Sequence, residues 1–395
     1  MKILRSMVAV VSVVGLAGVG TALAQSSPHP PASHLAVARS TPVRVTTPLA
    51  VPSTTTVTDA PAVSVPVAPP VPPAPTPPEP IVASLPVLPT GPVTQLGCPP
   101  PPAPPSPPDN GPGPWHPSRL VPDSELPPAP PVEAWASDAR PAFGKGMWVW
   151  MWKNTEGGNA DAIVRRARRA GLHQLWIRVG DSQDGFYASS TLGALVPKAH
   201  AAGLSVIGWG FPHLYDPVQD ADWTNEAMDW HTPTGEHLDG FSPDIERKSE
   251  GVMLSARRAA LYLGTVRRHV GSKLLVATVY PPLDSYWSGG GYPFEAMAPY
   301  VDAFAPMVYW ECTDPGADAQ QAVERLRTLR PVHLIGQAYN MADIPGGRVN
   351  APSAEETLRF MDVGRHAGAI GASFWVWNTM DAAQWGALGG YPWTP

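Results

Sequence analysis

The sequence predicts an α/β fold, a closed (β/α)8 TIM barrel over residues 141–395. Proline falls from 35 in residues 25–140 to 17 in residues 141–395. Beyond that boundary, short β-branched or aromatic runs alternate eight times with helical patterns. The runs are apolar on both faces, as parallel strands under helices must be. Eight units in a segment of roughly 250 residues fit a closed barrel. An open doubly wound sheet is the alternative, but no glycine-rich dinucleotide loop follows any strand.

Two segments precede the barrel. Residues 1–24 hold Lys2 and Arg5, an apolar run from Met7 to Val19, and Ala22-Leu23-Ala24. That order is the pattern of a secretory signal peptide with a small-x-small cleavage site. Read as an uncleaved anchor instead, the apolar stretch is short for a membrane span. Residues 25–140 are a Pro-rich, low-complexity linker. Proline fixes one backbone dihedral and removes the amide donor, so this segment is expected to be extended and disordered, a tether. A secreted or cell-envelope location follows, with no membrane span in the mature chain.

The strands read as 146–150, 173–179, 205–211, 239–246, 273–280, 302–310, 332–339 and 369–377. Helical patterns fill 159–170, 191–202, 222–230, 251–270, 292–300, 317–329, 353–367 and 382–388. Gly171, Gly203 and Gly271 are placed to stop helices, and Ser353 with Glu356 makes a capping box.

Composition excludes several classes. The net charge is −6 and no Lys/Arg cluster is long enough to track a phosphate backbone, so nucleic acid is not an expected partner. The histidines are dispersed and no His-Glu-x-x-His run occurs, so neither a metal nor a cofactor is expected. No Gly-x-Ser-x-Gly elbow is present, which argues against an esterase. The two cysteines, Cys98 and Cys312, are too few for a disulfide framework. The barrel is expected to act as a monomer.

In a barrel of this kind the chemistry gathers at the carboxyl ends of the strands. There the sequence places Trp150, Trp152, Arg178, Asp181, Trp209, His213, Asp244, Glu246, Tyr280, Tyr309, Glu311, Gln337, Trp375 and Trp377. Residues two apart on a strand share a face, so Ser242, Asp244 and Glu246 point the same way. Two carboxylates so close repel, which raises the pKa of one and lets it hold a proton near neutrality. Such a proton is what a leaving glycosidic oxygen needs. A solvated strand end, or a pair neutralised by Arg178 or Arg247, is the plainer reading of the same residues.

The run Asp239-Gly240-Phe241-Ser242-Pro243-Asp244-Ile245-Glu246 resembles the strand-four signature Asp-Gly-x-Asp-x-Asp-x-Glu of the chitinase-type family, glycoside hydrolase family 18. Met307-Val308-Tyr309 resembles that family's strand-six Met-x-Tyr, and Trp375 sits where its strand-eight tryptophan floors the sugar site. The resemblance implies Glu246 as general acid/base and Asp244 orienting a substrate N-acetyl group. It implies Tyr309 bonding to that group and Trp375 stacking under the sugar. The chain departs from the pattern twice. Ser242 replaces the middle Asp, and Trp310 follows the strand-six Tyr where an Asp or Asn is usual. Both departures point toward chemistry without acetamido assistance, for which a second carboxylate is required. Strand seven offers Gln337 rather than an acid. Of Glu311, Asp181 and Asp381, Glu311 stands nearest Tyr309 in sequence.

Thirteen of fifteen tryptophans fall within 142–395. Trp176 reads as core. Trp150, Trp152, Trp209, Trp287, Trp310, Trp375 and Trp377 read as flat faces for pyranose rings, with Arg178, Tyr280 and Gln337 as polar contacts. Gly289-Gly290-Gly291, with Tyr286 and Trp287, reads as a rim loop. The functional expectation is hydrolysis of glycosidic bonds in a polysaccharide or cell-wall glycan, with an N-acetyl amino-sugar polymer favoured. The alternative is a non-catalytic carbohydrate-binding or cell-wall-interacting barrel.

Overall fold

The computed structural model describes residues 119–283, 291–342 and 347–393. The signal peptide, most of the linker, Cys98, Tyr286, Trp287, Gly289 and Gly290 lie outside the described residues.

Eight parallel strands form the expected barrel: β1 (Gly144–Val149), β2 (Gln174–Asp181), β3 (Ser205–Phe211), β4 (Gly240–Pro243), β5 (Leu274–Val279), β6 (Ala303–Val308), β7 (His333–Gln337) and β8 (Gly371–Trp375). Closure comes from β1, which pairs with both β2 and β8. Between them lie α1 (Ala160–Arg169), α2 (Ser189–Ala201), α3 (Pro217–Asp229), α4 (Ala256–Val270), α5 (Phe294–Met297), α6 (Pro315–Leu326) and α7 (Ala354–Ala367). The last helix, α8 (Ala382–Gly390), follows β8.

Local chemistry sets the boundaries. α3 starts five residues before its expected position because Asp216 caps it and Pro217 takes the first turn, where no amide is needed. α4 starts later than expected, at the Ser255 cap. The Ser353–Glu356 capping box forms as read, and Asp381 with Gln384 makes a second at α8. β4, expected to reach residue 246, ends at Pro243, which has no amide to extend a ladder. Beyond it Asp244 N still donates to Gly210 O of β3, and Asp244 forms an isolated bridge to Thr278.

The barrel interior is filled by tryptophan. Trp148 stacks on Trp176 at 4.9 Å, and Trp209 and Trp375 pack on Trp148 at 5.5 and 5.9 Å. Trp148 Nε1 donates to Ser373 Oγ, and His333 lies 5.0 Å from Trp176. These contacts across five strands show which parity points inward: even residues on β1 and β2, odd residues on β3, β7 and β8.

Residues 119–140, assigned to the linker from composition, lie along the barrel. Val121 N donates to Tyr215 O beyond the carboxyl end of β3, and Arg258 donates to Val121 O. Tyr300 OH donates to Pro130 O. At the opposite end Asp302, fully buried just before β6, accepts from Trp135 Nε1, Ser137 Oγ, Arg267 Nη2 and Leu275 N. Proline content marks a chain that makes no ladder of its own. It does not prevent that chain from docking through its carbonyls and a tryptophan.

Candidate active site

Ser242, Asp244 and Glu246 leave β4 toward the barrel mouth, all buried. Ser242 Oγ donates to Val276 O and pairs with Thr278 Oγ1, so its hydroxyl serves β5 rather than Asp244. Asp244 is 8 % exposed and Glu246 0 %, which makes Asp244 the more accessible member. Glu246, the proton donor that the family resemblance implies, is the deeper of the two.

Burial raises the Asp244 carboxyl to about 7, against the opposing pull of Arg178. Burial also holds Glu246 well above the ordinary carboxylate range, reinforced by Asp244 and then by Glu250. The pair therefore keeps a proton at neutral pH. Tyr280 and Arg247 pull Glu246 the other way. The Tyr280 contact is loose, since neither Glu246 oxygen has a partner at full hydrogen-bond geometry. Asp244 Oδ1 is likewise buried without a partner. Unmatched buried oxygens of this kind are costly in a free protein, and a bound group that supplied partners would remove that cost.

Several predicted residues gather at the same end of the barrel. Arg178 on β2 donates to Asp181 Oδ2 at 2.9 Å and lies 5.7 Å from the Trp209 ring. Trp209 is buried, its Nε1 held by Val149 O. Trp375 is half-buried, 5.2 Å from Trp209 and 5.9 Å from Trp150. Tyr309 and Tyr339 meet edge to face at 5.5 Å and pack with Trp375. Tyr280 lies under the Arg247 guanidinium, 4.3 Å from ring to charge. The peptide between Trp375 and Val376 is cis.

Other residues are placed elsewhere. Trp310 is 1 % exposed and packs on Phe360 of α7, its Nε1 donating to Glu356. Its place against α7 follows from parity: Tyr309 packs with Tyr339 inside the mouth, so its neighbour Trp310 points out. Trp377 is buried against Trp385 of α8 and donates to Glu156. Neither tryptophan has a face free for a sugar. Gln337 is a brace: its Oε1 accepts from Glu311 N and its Nε2 donates to Tyr339 O. Glu311 has φ +47°, and its carbonyl accepts from Arg348, which is paired with Glu356. Asp181 accepts two backbone amides besides Arg178, and Asp381 caps α8. Glu250, on the short turn Lys248–Glu250, is the residue that sequence reasoning missed. Cys312, exposed beyond β6, is disulfide-bonded.

Among the described residues no group of His, Cys, Asp or Glu is placed to hold a metal ion. No helix there is long and apolar enough to cross a membrane.

No family model matches the chain, and no curated protein matches it. Solved structures similar to it include a chitinase from Rhizomucor miehei, 17% identical, covering 62% of this chain and 98% of its own, TM-score 0.46. A class V chitinase from Pseudomonas fluorescens is 14% identical, with 63% and 99% covered and TM-score 0.46. A family GH18 chitinase from Cycas revoluta, in complex with allosamidin, is 10% identical, with 62% and 98% covered and TM-score 0.46.

Proposed function

We propose that the barrel hydrolyses glycosidic bonds in a polysaccharide, with Glu246 as general acid/base. One observation carries the reading: two buried carboxyl groups, Asp244 and Glu246, share a proton at neutral pH beside a tryptophan-lined mouth. Burial of an acid among apolar rings is how a glycosidase keeps a proton for a leaving oxygen. The strand-four resemblance agrees with this assignment and makes an N-acetyl amino-sugar polymer the first substrate to test.

The free chain gives Glu246 no exposed surface, so a sugar meets Asp244 first. Binding must displace part of the covering around Glu246, of which Tyr280 forms one side. Trp375, half-buried and backed by Trp150 and Trp209, is the flat surface for the ring. Arg178, held by Asp181, fixes a positive charge near Asp244 and opposes its protonation. The tether read from the sequence of residues 25–140 supports a cell-wall glycan as the polymer within reach.

Glu246→Gln keeps shape and removes the titrating proton, so turnover of a soluble oligosaccharide should fall about 10²–10⁴-fold. Release of new reducing ends is the measurement. Equal rates in wild type and variant would sink the mechanism. Binding that persists with no cleavage by wild type would favour a carbohydrate-binding barrel.

A further inference from the structure

We propose that Arg178 is an anion subsite of the barrel mouth, and that the glycan bound there carries a carboxylate on one of its sugars. The inference rests on the glycan reading above and names the substrate class which that reading leaves open.

Strand register sets Arg178 at the level of the acid pair. Arg178 on β2 stands opposite Trp209 on β3, and Trp209 stands opposite Ser242 on β4. Further out, Asp181 pairs with Phe211, and Asp244 N donates to Gly210 O at 2.8 Å. With β3 between them, β2 and β4 lie about 10 Å apart at this level. Side chains two apart on a strand share a face, and Trp176 fills the barrel interior, so Arg178 points inward as well. Its guanidinium carbon lies 5.7 Å from the centre of the Trp209 ring, and Trp209 meets Trp375 at 5.2 Å. The arginine thus stands beside the flat faces offered to a sugar.

The guanidinium is held in place with most of its donors idle. Nη2 donates to Asp181 Oδ2 at 2.9 Å. Asp181 is itself fixed, since its Oδ1 accepts from Gln183 N at 2.9 Å and from Asp184 N at 2.8 Å. Nε is buried without a partner, and Nη1 makes no hydrogen bond to any described residue. A guanidinium offers five N–H groups in one plane, and here one is engaged. An arginine on an outer helix face turns its idle donors to bulk water. This side chain keeps 27% of its surface, so most of it is withdrawn from water, where a donor without an acceptor costs free energy.

The chemistry of the donors selects the acceptor. A planar fork matches a carboxylate, which takes two donors at once, and charge assistance makes such bonds about twice as strong as neutral ones. A sugar hydroxyl brings no charge. Asp181 already balances part of the arginine's charge, so the site suits one negative charge rather than a doubly charged phosphate ester. The ring that bears the acid stacks on the neighbouring tryptophans. The carboxylate belongs to the ring in a uronic acid and to an ether side chain in N-acetylmuramic acid, and Arg178 meets the same group in both.

The test is calorimetric titration of the full chain carrying Glu246→Gln, which leaves bound sugars intact. Three tetrasaccharides are compared: N-acetylglucosamine alternating with N-acetylmuramic acid, N-acetylglucosamine alternating with glucuronic acid, and neutral chitotetraose. At least one acidic chain should bind about tenfold or more tightly than chitotetraose, the effect of one charge-assisted hydrogen bond. Which of the two does so tells where the acid sits. Reducing its carboxyl to an alcohol should abolish the advantage, and adding Arg178→Gln should bring the ratio of affinities to about one. The ratio is internal to each protein, so a smaller folded fraction does not imitate its loss. Equal affinity for acidic and neutral chains overturns the proposal and leaves the hydrolase reading standing. An advantage that survives carboxyl reduction or Arg178→Gln does the same. Failure to bind any of the three overturns the glycan reading and this proposal together.

Discussion

Replacing Asp244 by Asn should make the barrel more stable at alkaline pH, by an amount that the structure sets. The folded carboxyl titrates at about 7 instead of 3.8 because it is buried. Below the lower value both folded and unfolded chains are protonated, and Asp244 costs nothing. As pH rises, the unfolded chain loses the proton first, so stability falls until the folded carboxyl also ionises near 7. A shift of roughly three units at about 1.4 kcal/mol per unit gives a loss of about 4 kcal/mol. Asn carries no proton to lose and nearly preserves the shape. Any constant cost of the exchange cancels when the two proteins are compared across pH. The variant also lowers Glu246, since Asp244 is one of the charges raising it. Denaturant unfolding followed by the fluorescence of buried Trp148, Trp176 and Trp209, from pH 4 to 8.5, would measure the difference. It should open from near zero at the acid end to about 4 kcal/mol at the alkaline end. Parallel curves would show that Asp244 is solvated or already paired, and the buried proton would be lost as the basis of catalysis.

Three other outcomes are expected. His333 is fully buried and its pKa is lowered to about 4, so the stability it contributes is complete above 6.5 and is lost as pH falls through 4. His333→Gln should remove that acid-side slope in denaturation curves, and an unchanged slope would place the loss elsewhere. Asp302→Asn leaves the Arg267 guanidinium buried without its charge partner, at about 3–5 kcal/mol. Limited proteolysis should then cut between residues 119 and 140, and a strap as resistant as wild type would contradict the anchoring. Trp375→Ala should weaken oligosaccharide binding, whereas Trp310→Phe should lower stability and leave affinity unchanged. Calorimetry on the two variants checks both, and equal losses of affinity would return Trp310 to the mouth.

The fold was legible because its signals are local and repeated. Apolar runs buried on both faces mark β1 to β8, and Asp216, Ser255, Asp314, Ser353 and Asp381 each cap the helix that follows. The acid pair was legible for the same reason, since alternation along β4 puts Asp244 and Glu246 on one side. Trp310 was misplaced through neglect of that alternation: its neighbour Tyr309 faces inward, so Trp310 had to face α7. Gln337 and Glu311 lay beyond sequence reasoning, because their roles come from a side chain on β7 meeting the backbone beyond β6. Glu250 carries no periodicity at all. Its position depends on a tight turn after β4 and a tyrosine from β5, contacts between segments that sequence alone does not pair. The strap formed by residues 119–140 was hidden by its composition, since it docks through partners far along the chain, Tyr215, Arg258, Tyr300 and Asp302.

The path of that strap has a directional consequence. Residue 121 is fastened beside Tyr215 at the mouth, and the chain crosses the outside of the barrel to Asp302 before turning back into β1. Residue 119 therefore stands at the mouth end of the barrel, not at its floor. A pull applied there would load the contacts of Val121 with Tyr215 and Arg258 first, and would reach those of Trp135 and Ser137 with Asp302 only after the first had parted.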